Sequence, residues 1–420
     1  MKYILTVAVC FAAFLCPTNA QTSTAKTTTT WAELAQYLHK NEKIGAQYVQ
    51  KDNFEEVWRA VQSAAEMAKT EDEKVRTVYN FINKNVEWNG EWSIYATESL
   101  DRAFQKRSAN SGELNLMLVA CLNSMGIRAL PMLVSTREHG KANVNAALAT
   151  QFNHLICYTE SNGAPRFLDA GDAYRPVGML RTEALNSDAW VLEANNPRWV
   201  KIVPTLSVRQ TLSTFFLSKE GDLRGRFVKT SKGYEAVVER NDQSRKSATS
   251  ALKKEYQGIR IDSITTVNLE ANLNSAFKRN FYCFIPQAIE NVDNKMEIHP
   301  LWHTNFEAYL LTAPSLHSVD FAYPVSDLHV FNLAIPEGAS VDKMPKDETF
   351  ELANKGAVYQ FTAVQSGDIV QLTIRLQIDR LHFDALEYTK MKEFFERIAA
   401  KQAEKVVLKN VRTEPLSSRR

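Results

Sequence analysis

Three residues in the first half of the chain have the types and the order that acyl transfer needs. Ser111 lies in KRSANSGELNLMLVACL (106–122), where a turn with small polar residues leads into a helix. His154 sits in Phe152-Asn153-His154-Leu155-Ile156, and Asp169 in Phe167-Leu168-Asp169-Ala170-Gly171. A hydroxyl at a helix start, an imidazole on one short strand and a carboxylate ending the next would supply nucleophile, base and orienting group. The helix N-terminus would add backbone N–H donors and the positive end of its dipole for a developing oxyanion. Each residue also has a plainer role. Serine at a helix start caps it, histidine in an apolar strand packs in the core, and aspartate after a strand forms a turn.

The elements that must position them follow from periodicity. Leu114, Met117, Leu118, Cys121 and Leu122 recur at helical spacing on one apolar face. Upstream, residues 31–48 and 54–69 have helical patterns, and Thr70-Glu71-Asp72-Glu73 is a capping box opening a third helix. That helix turns Val75, Val78, Tyr79, Ile82 and Val86 inward. Short strands are expected over 128–135, 152–159 and 165–169. Past Pro204 the apolar runs become short, alternating and punctuated by Gly, Asp and Asn, including 211–217, 223–228, 234–238, 259–267 and 277–285. They continue through 319–323, 329–335, 358–362 and 369–378, the pattern of an antiparallel β-domain. One helix interrupts it near 244–256, and an amphipathic helix closes it over 385–406, with Met391, Phe394, Phe395 and Ile398 inward.

Read together, 75–85, Trp88-Asn89-Gly90, 108–122, Gly126-Ile127-Arg128-Ala129-Leu130-Pro131, Leu133-Val134-Ser135-Thr136-Arg137, Phe152-Asn153-His154 and Leu168-Asp169-Ala170 resemble the transglutaminase-like core. More narrowly they resemble its exported form common in Bacteroidetes, over about 54–203, and the β-rich remainder resembles the companion domain that follows it there. The resemblance implies an α+β fold: a papain-like, transglutaminase-like core, then an antiparallel β-sandwich-like domain and a C-terminal helix. It also implies a catalytic cysteine, histidine and aspartate, which fall on Ser111, His154 and Asp169. The nucleophile is therefore lost, and Ala109 replaces the glycine expected before it, while Asn110 and Glu113 remain. A cysteine beside histidine ionises readily from its ordinary pKa of ~8.5, whereas a serine must lose its proton during attack. Cys121 is roughly three turns along the helix and Cys157 lies beyond the histidine on its strand, so neither replaces the thiol.

Other features bound the function. The 420 residues suit two domains, and Lys+Arg 50 against Asp+Glu 48 gives no reason to expect a nucleic-acid partner. Lys2, the apolar run from Ile4 to Leu15 and Pro17-Thr18-Asn19-Ala20 read as a signal peptide cleaved before Gln21, hence periplasmic or secreted. A lipid anchor at Cys16 is disfavoured by Leu15, where a small residue is needed. No run is long enough for a transmembrane helix. Cys121, Cys157 and Cys283 read as buried free thiols. His299 and His303 have helical ligand spacing, but Pro300 argues against a helix, so no metal is expected, nor any cofactor. Trp88 and Trp92, with Asn110, are candidate cleft walls, although ordinary core packing serves the tryptophans as well.

The expected organisation is a signal peptide (1–20), a tether and N-terminal helical segment (21–52), a transglutaminase-like domain (53–205), an antiparallel β-domain (206–384) and a C-terminal helix and tail (385–420). The expected function is an exported, non-catalytic protein binding a peptide, glycan or protein partner through the relic cleft or the β-domain. The alternative is a slow Ser111-His154-Asp169 acyl hydrolase or transferase.

Overall fold

A computed structural model describes residues 30–161, 163–245, 250, 258–289, 291–299, 318–352 and 355–410; the expected signal peptide, most of the tether and His303 lie outside them. The N-terminal half is built around one helix. Residues Ser111–Ser124 (α6) are buried on all sides from Ser111 to Leu122, not on one face as the periodicity predicts. Leu116, Val119 and Ala120, on the supposed outer face, are apolar too, and a helix apolar all round belongs inside a core. Around it pack α1 (Trp31–Lys40), α2 (Gly45–Val49), α3 (Glu55–Ala64), α4 (Glu71–Asn85) and α5 (Leu100–Lys106). The Thr70/Glu73 capping box opens α4 by reciprocal bonds. Leu34, Leu38, Ile44 and Tyr48 share this core, so the N-terminal helices are part of the same body rather than an appendage.

The other wall is an antiparallel five-stranded sheet in the order β5-β4-β3-β6-β7, from Ala129–Val134 (β3), His154–Ser161 (β4), Ala164–Leu168 (β5), Asp188–Val191 (β6) and Arg198–Lys201 (β7). Strands β6 and β7, absent from the sequence reading, hold the core tryptophans Trp190 and Trp199 against Trp31. A two-residue parallel ladder pairs Glu87–Trp88 (β1) with Ser108–Ala109 (β2). This ladder sets the chain after Trp88 alongside the start of α6.

The C-terminal half has an eight-stranded sheet. Its strands β8 (Ser207–Leu217) and β15 (Val325–Ala334) pair in parallel, which corrects the all-antiparallel expectation. Strands Lys295–Ile298 and Val406–Asn410 belong to a four-stranded second sheet. The helix Tyr388–Gln402 joins both sheets in one core, with Met391, Phe394, Phe395 and Ile398 inward. The C-terminal segment thus ends as a strand, not a helix reaching residue 406, because Val406 and Leu408 alternate inward.

Residues 234–238, expected as a strand, open the helix α7 (Tyr234–Arg245). Gly233 turns the chain at φ +66, and the Ser207 hydroxyl accepts the Glu235 N–H, a partner far along the chain. The buried positions Tyr234, Val237 and Arg240 then recur every third residue. Of the helix expected over 244–256, only Ser244, Arg245 and Ser250 are described, all helical.

Candidate functional site

The first turn of α6 is spent on a neighbouring segment. Asn110 caps the helix: its side chain accepts the Glu113 N–H at 2.9 Å, and Glu113 returns Oε2 to the Asn110 N–H at 2.9 Å. Glu113 is 2% exposed, and its Oε1 takes both the Thr97 N–H (2.8 Å) and hydroxyl (2.7 Å). Asn110 Nδ2 donates to the Tyr95 carbonyl at 3.1 Å. Gly112 permits the close approach, since a β-carbon there would meet the Ser93 carbonyl at 2.9 Å. Asn110 is buried and its side chain is spent as the helix cap.

Ser111 follows the same pattern. Its Oγ accepts the Ser93 N–H at 2.9 Å and donates to the Ser93 carbonyl at 3.1 Å. Its own backbone N–H donates to the Glu91 carbonyl at 3.0 Å. The residue is 0% exposed. Hydroxyl and amide are both used before any substrate could reach them.

His154, first residue of β4, is also fully buried. Its Nε2 lies 3.3 Å from Asp169 Oδ1, outside hydrogen-bond alignment, and Nδ1 has no hydrogen-bond partner. The Trp92 ring closes over it edge to face, at 4.8 Å between centroids. Burial pushes the imidazole pKa down; Asp169 pulls it back in part, while Arg181 and Arg175 add to the depression. The ring is therefore held neutral.

Asp169 follows directly after β5 and faces cations. Its Oδ2 accepts the Arg181 N–H at 2.9 Å, Oδ1 lies 3.4 Å from Arg181 Nε, and Arg175 Nη1 is 3.6 Å from Oδ2. Burial alone would raise its pKa, but with the imidazole neutral the guanidinium groups of Arg181 and Arg175 outweigh that and hold the carboxyl below the usual range. Arg181 also donates to the Ala170 carbonyl at 2.7 Å and stacks its guanidinium on Trp88, 4.1 Å from the ring centroid. Gly171 makes room for it: at φ +110, with a β-carbon that would fall 2.1 Å from Arg181 Nη2, no other residue fits.

The chain order thus brings His154 to Asp169, and places Ser111 one residue away through Asn115. That amide donates to the Ser111 carbonyl (3.0 Å), to the Leu155 carbonyl (2.9 Å) and toward Asp169 Oδ1 (3.4 Å), and accepts the Ala170 N–H. It does not join Ser111 to His154 by a hydrogen bond. Sequence reading missed Asn115, Ser93, Arg175 and Arg181. Only Asn115 had a readable signal, as a polar residue four after Ser111 on a helix otherwise apolar at its centre.

Two open cavities flank this sealed centre. One of about 770 Å³ is walled by Trp88, Arg175 and Arg181 on one side and Tyr234, Val237 and Asn241 of α7 on the other. Ser111, His154 and Asp169 do not line it. Trp88 is therefore a cavity wall, whereas Trp92 covers the histidine. No cluster of three or more potential metal ligands occurs among the described residues. The three described cysteines are free and buried, with burial raising each thiol's pKa, that of Cys283 to about 12.

The fold has known counterparts. Over 91% of its length the chain superposes on the crystal structure of a "putative protease" from Parabacteroides distasonis ATCC 8503, with a TM-score of 0.55 and 11% identity. It spans 59% of that protein's length, and at this identity the likeness is one of mixed α+β fold alone. Residues 294–408 match a domain of unknown function with a solved structure, DUF3858. Among curated proteins nothing matches.

Proposed function

We propose that this is an exported, non-catalytic transglutaminase-like protein that binds a peptide, glycan or protein partner. The observation that carries the proposal is the Ser111 hydroxyl, bonded in both directions to Ser93 in a fully buried position. A nucleophile must be reachable by substrate and pass its proton to a base, and this hydroxyl is fully buried and donates its proton to the Ser93 carbonyl instead. The orphaned Nδ1 of His154 supports descent from a working site. A buried unpaired nitrogen costs about 1–3 kcal/mol, which a residue serving only to pack would shed.

The slow serine-dependent alternative needs Ser111 to leave Ser93, Trp92 to leave His154, and the Ser111 N–H to leave Glu91. Partner binding needs none of these, because the cavities beside Trp88 and α4 are already open. The test compares wild type with Ser111→Ala for casein hydrolysis and for amine incorporation into a glutamine peptide. The two proteins should be indistinguishable; turnover by wild type well above the variant would overturn the proposal.

A further inference from the structure

A trough of about 570 Å³ lies beside the larger cavity and shares Asn83, Lys84, Ala173 and Tyr174 with it. Its walls are the outer face of α4, the segment 173–177 and the loop 270–274 between the strands Arg260–Val267 and Phe277–Ile285. These walls come from distant parts of the chain and are tied together by one buried guanidinium and two half-buried amides. Arg240 of α7 is 0% exposed, and its guanidinium holds three carbonyls of the loop: Asn268 (3.0 Å), Leu273 (3.0 Å) and Ser275 (2.8 Å). Asn83 of α4 accepts the Gly171 and Asp172 N–H groups. Asn241 of α7 donates to the Asp172 carboxylate at 3.3 Å. A loop held by a buried guanidinium is set in shape before any ligand arrives, which lowers the ordering cost of binding.

The groups that line the trough are of the opposite kind. The side chains of Asn80, Asn272 and Asn274 and the Tyr174 hydroxyl form no hydrogen bond with the described residues. Each amide offers two N–H donors and one carbonyl acceptor. Pro176, Val177 and Leu273 supply apolar surface, and Tyr174 adds a half-buried ring. Charge is slight, since Arg76 and Arg166 share the one carboxylate of Asp72 and the rim residues Lys84 and Glu270 carry opposite signs, which leaves a single positive charge in excess. A polyanion is therefore not favoured. Among the described residues no strand edge lines the trough, so an extended peptide has no main-chain ladder to join there.

Amides that both donate and accept, an aromatic face, an apolar floor and little net charge are together complementary to vicinal hydroxyls and the C–H face of a sugar ring. We infer that the trough between α4 and the 270–274 loop is a preformed site for a neutral oligosaccharide. The inference rests on the binding role proposed above and names its ligand class.

The test is calorimetric titration of the folded protein with maltotriose, cellotriose, mannotriose and chitotriose, and with acetyl-(Ala)4-amide as peptide control. At least one trisaccharide should bind with a millimolar or tighter Kd, and the peptide should not. Asn80→Ala and Asn272→Ala, both exposed and outside the core, should each weaken binding about tenfold, roughly 1.4 kcal/mol, with unchanged melting temperature. Binding of none of the four sugars, binding unchanged in the Asn80→Ala/Asn272→Ala double variant, or binding of the peptide instead would overturn the inference. Those results leave the inert centre standing, whereas turnover dependent on Ser111 would remove the non-catalytic reading without affecting the titration.

Discussion

The Ser111 hydroxyl is bonded to the backbone of Ser93, while the imidazole of His154, in the same buried centre, keeps an unpaired Nδ1. Motif order and chemical geometry have separated here. Two of the groups needed for acyl transfer are adjacent, and the third has been turned toward the segment that covers it.

Restoring the thiol should therefore not restore reactivity. In Ser111→Cys the sulfur would be buried beside a neutral imidazole, with no imidazolium to lower its pKa. We predict that iodoacetamide labels it in the native protein no faster than the buried Cys121 or Cys157, and fully only after unfolding. Peptide mass mapping of alkylation against time checks this; selective labelling of residue 111 at neutral pH would show an ion-pairing site.

Acid should weaken the fold in two stages. The folded pKa of His154 lies below its unfolded value of about 6.5, so its contribution is present above that pH and is lost as pH falls below it. Asp169 is also depressed, from about 3.9, so its contribution is present above that pH and is lost on further acidification. Urea midpoints between pH 7.5 and 5 should fall in wild type and fall less in His154→Leu. Equal slopes for the two proteins would contradict the neutral buried imidazole.

Gly171→Ala should be costly, since a β-carbon there would also fall 3.0 Å from Leu114 Cδ1 and 3.1 Å from Trp88 Cβ. It places a β-carbon on the Arg181 guanidinium and forces an L-residue to φ +110. Strain of this kind costs about 1–3 kcal/mol before the displaced arginine is counted. Arg181→Ala should cost about 3 kcal/mol, because it strips a buried carboxylate of one of its two arginines. Denaturant unfolding measures both, and losses under about 0.5 kcal/mol would show that Arg181 is incidental.

How far the sequence could be read depended on the range of each interaction. The capping box at Thr70 and Glu73 is a four-residue signal and forms as expected. Asn110 and Glu113 form the same motif with asparagine as cap, so a capping reading was available there too. What closes the centre was not legible, since Ser93 and Arg181 reach Ser111 and Asp169 only through the folded chain. Short apolar runs misled in both directions. The segment 234–238 alternates well enough for a strand but is bent into α7 by Gly233 and Ser207, and the helix expected to reach 406 gives way to the strand Val406–Asn410. The parallel β8–β15 pairing left no local mark, because nothing in either strand's pattern encodes its partner's direction.

The expected cleavage site makes its own prediction. Mass spectrometry of the mature protein should find Gln21 at the amino terminus. A diacylated Cys16 would show a lipid anchor instead.

The claim that the centre is chemically silent is tested most directly by a fluorophosphonate probe on the folded wild-type protein, read by intact mass and peptide mapping. Ser111, with its oxygen held by Ser93 and its N–H by Glu91, should carry no adduct after prolonged exposure at neutral pH. A stoichiometric phosphonyl adduct on Ser111, lost in His154→Ala, would mean that the hydroxyl leaves Ser93 and that the protein is a working serine acyl-transfer enzyme.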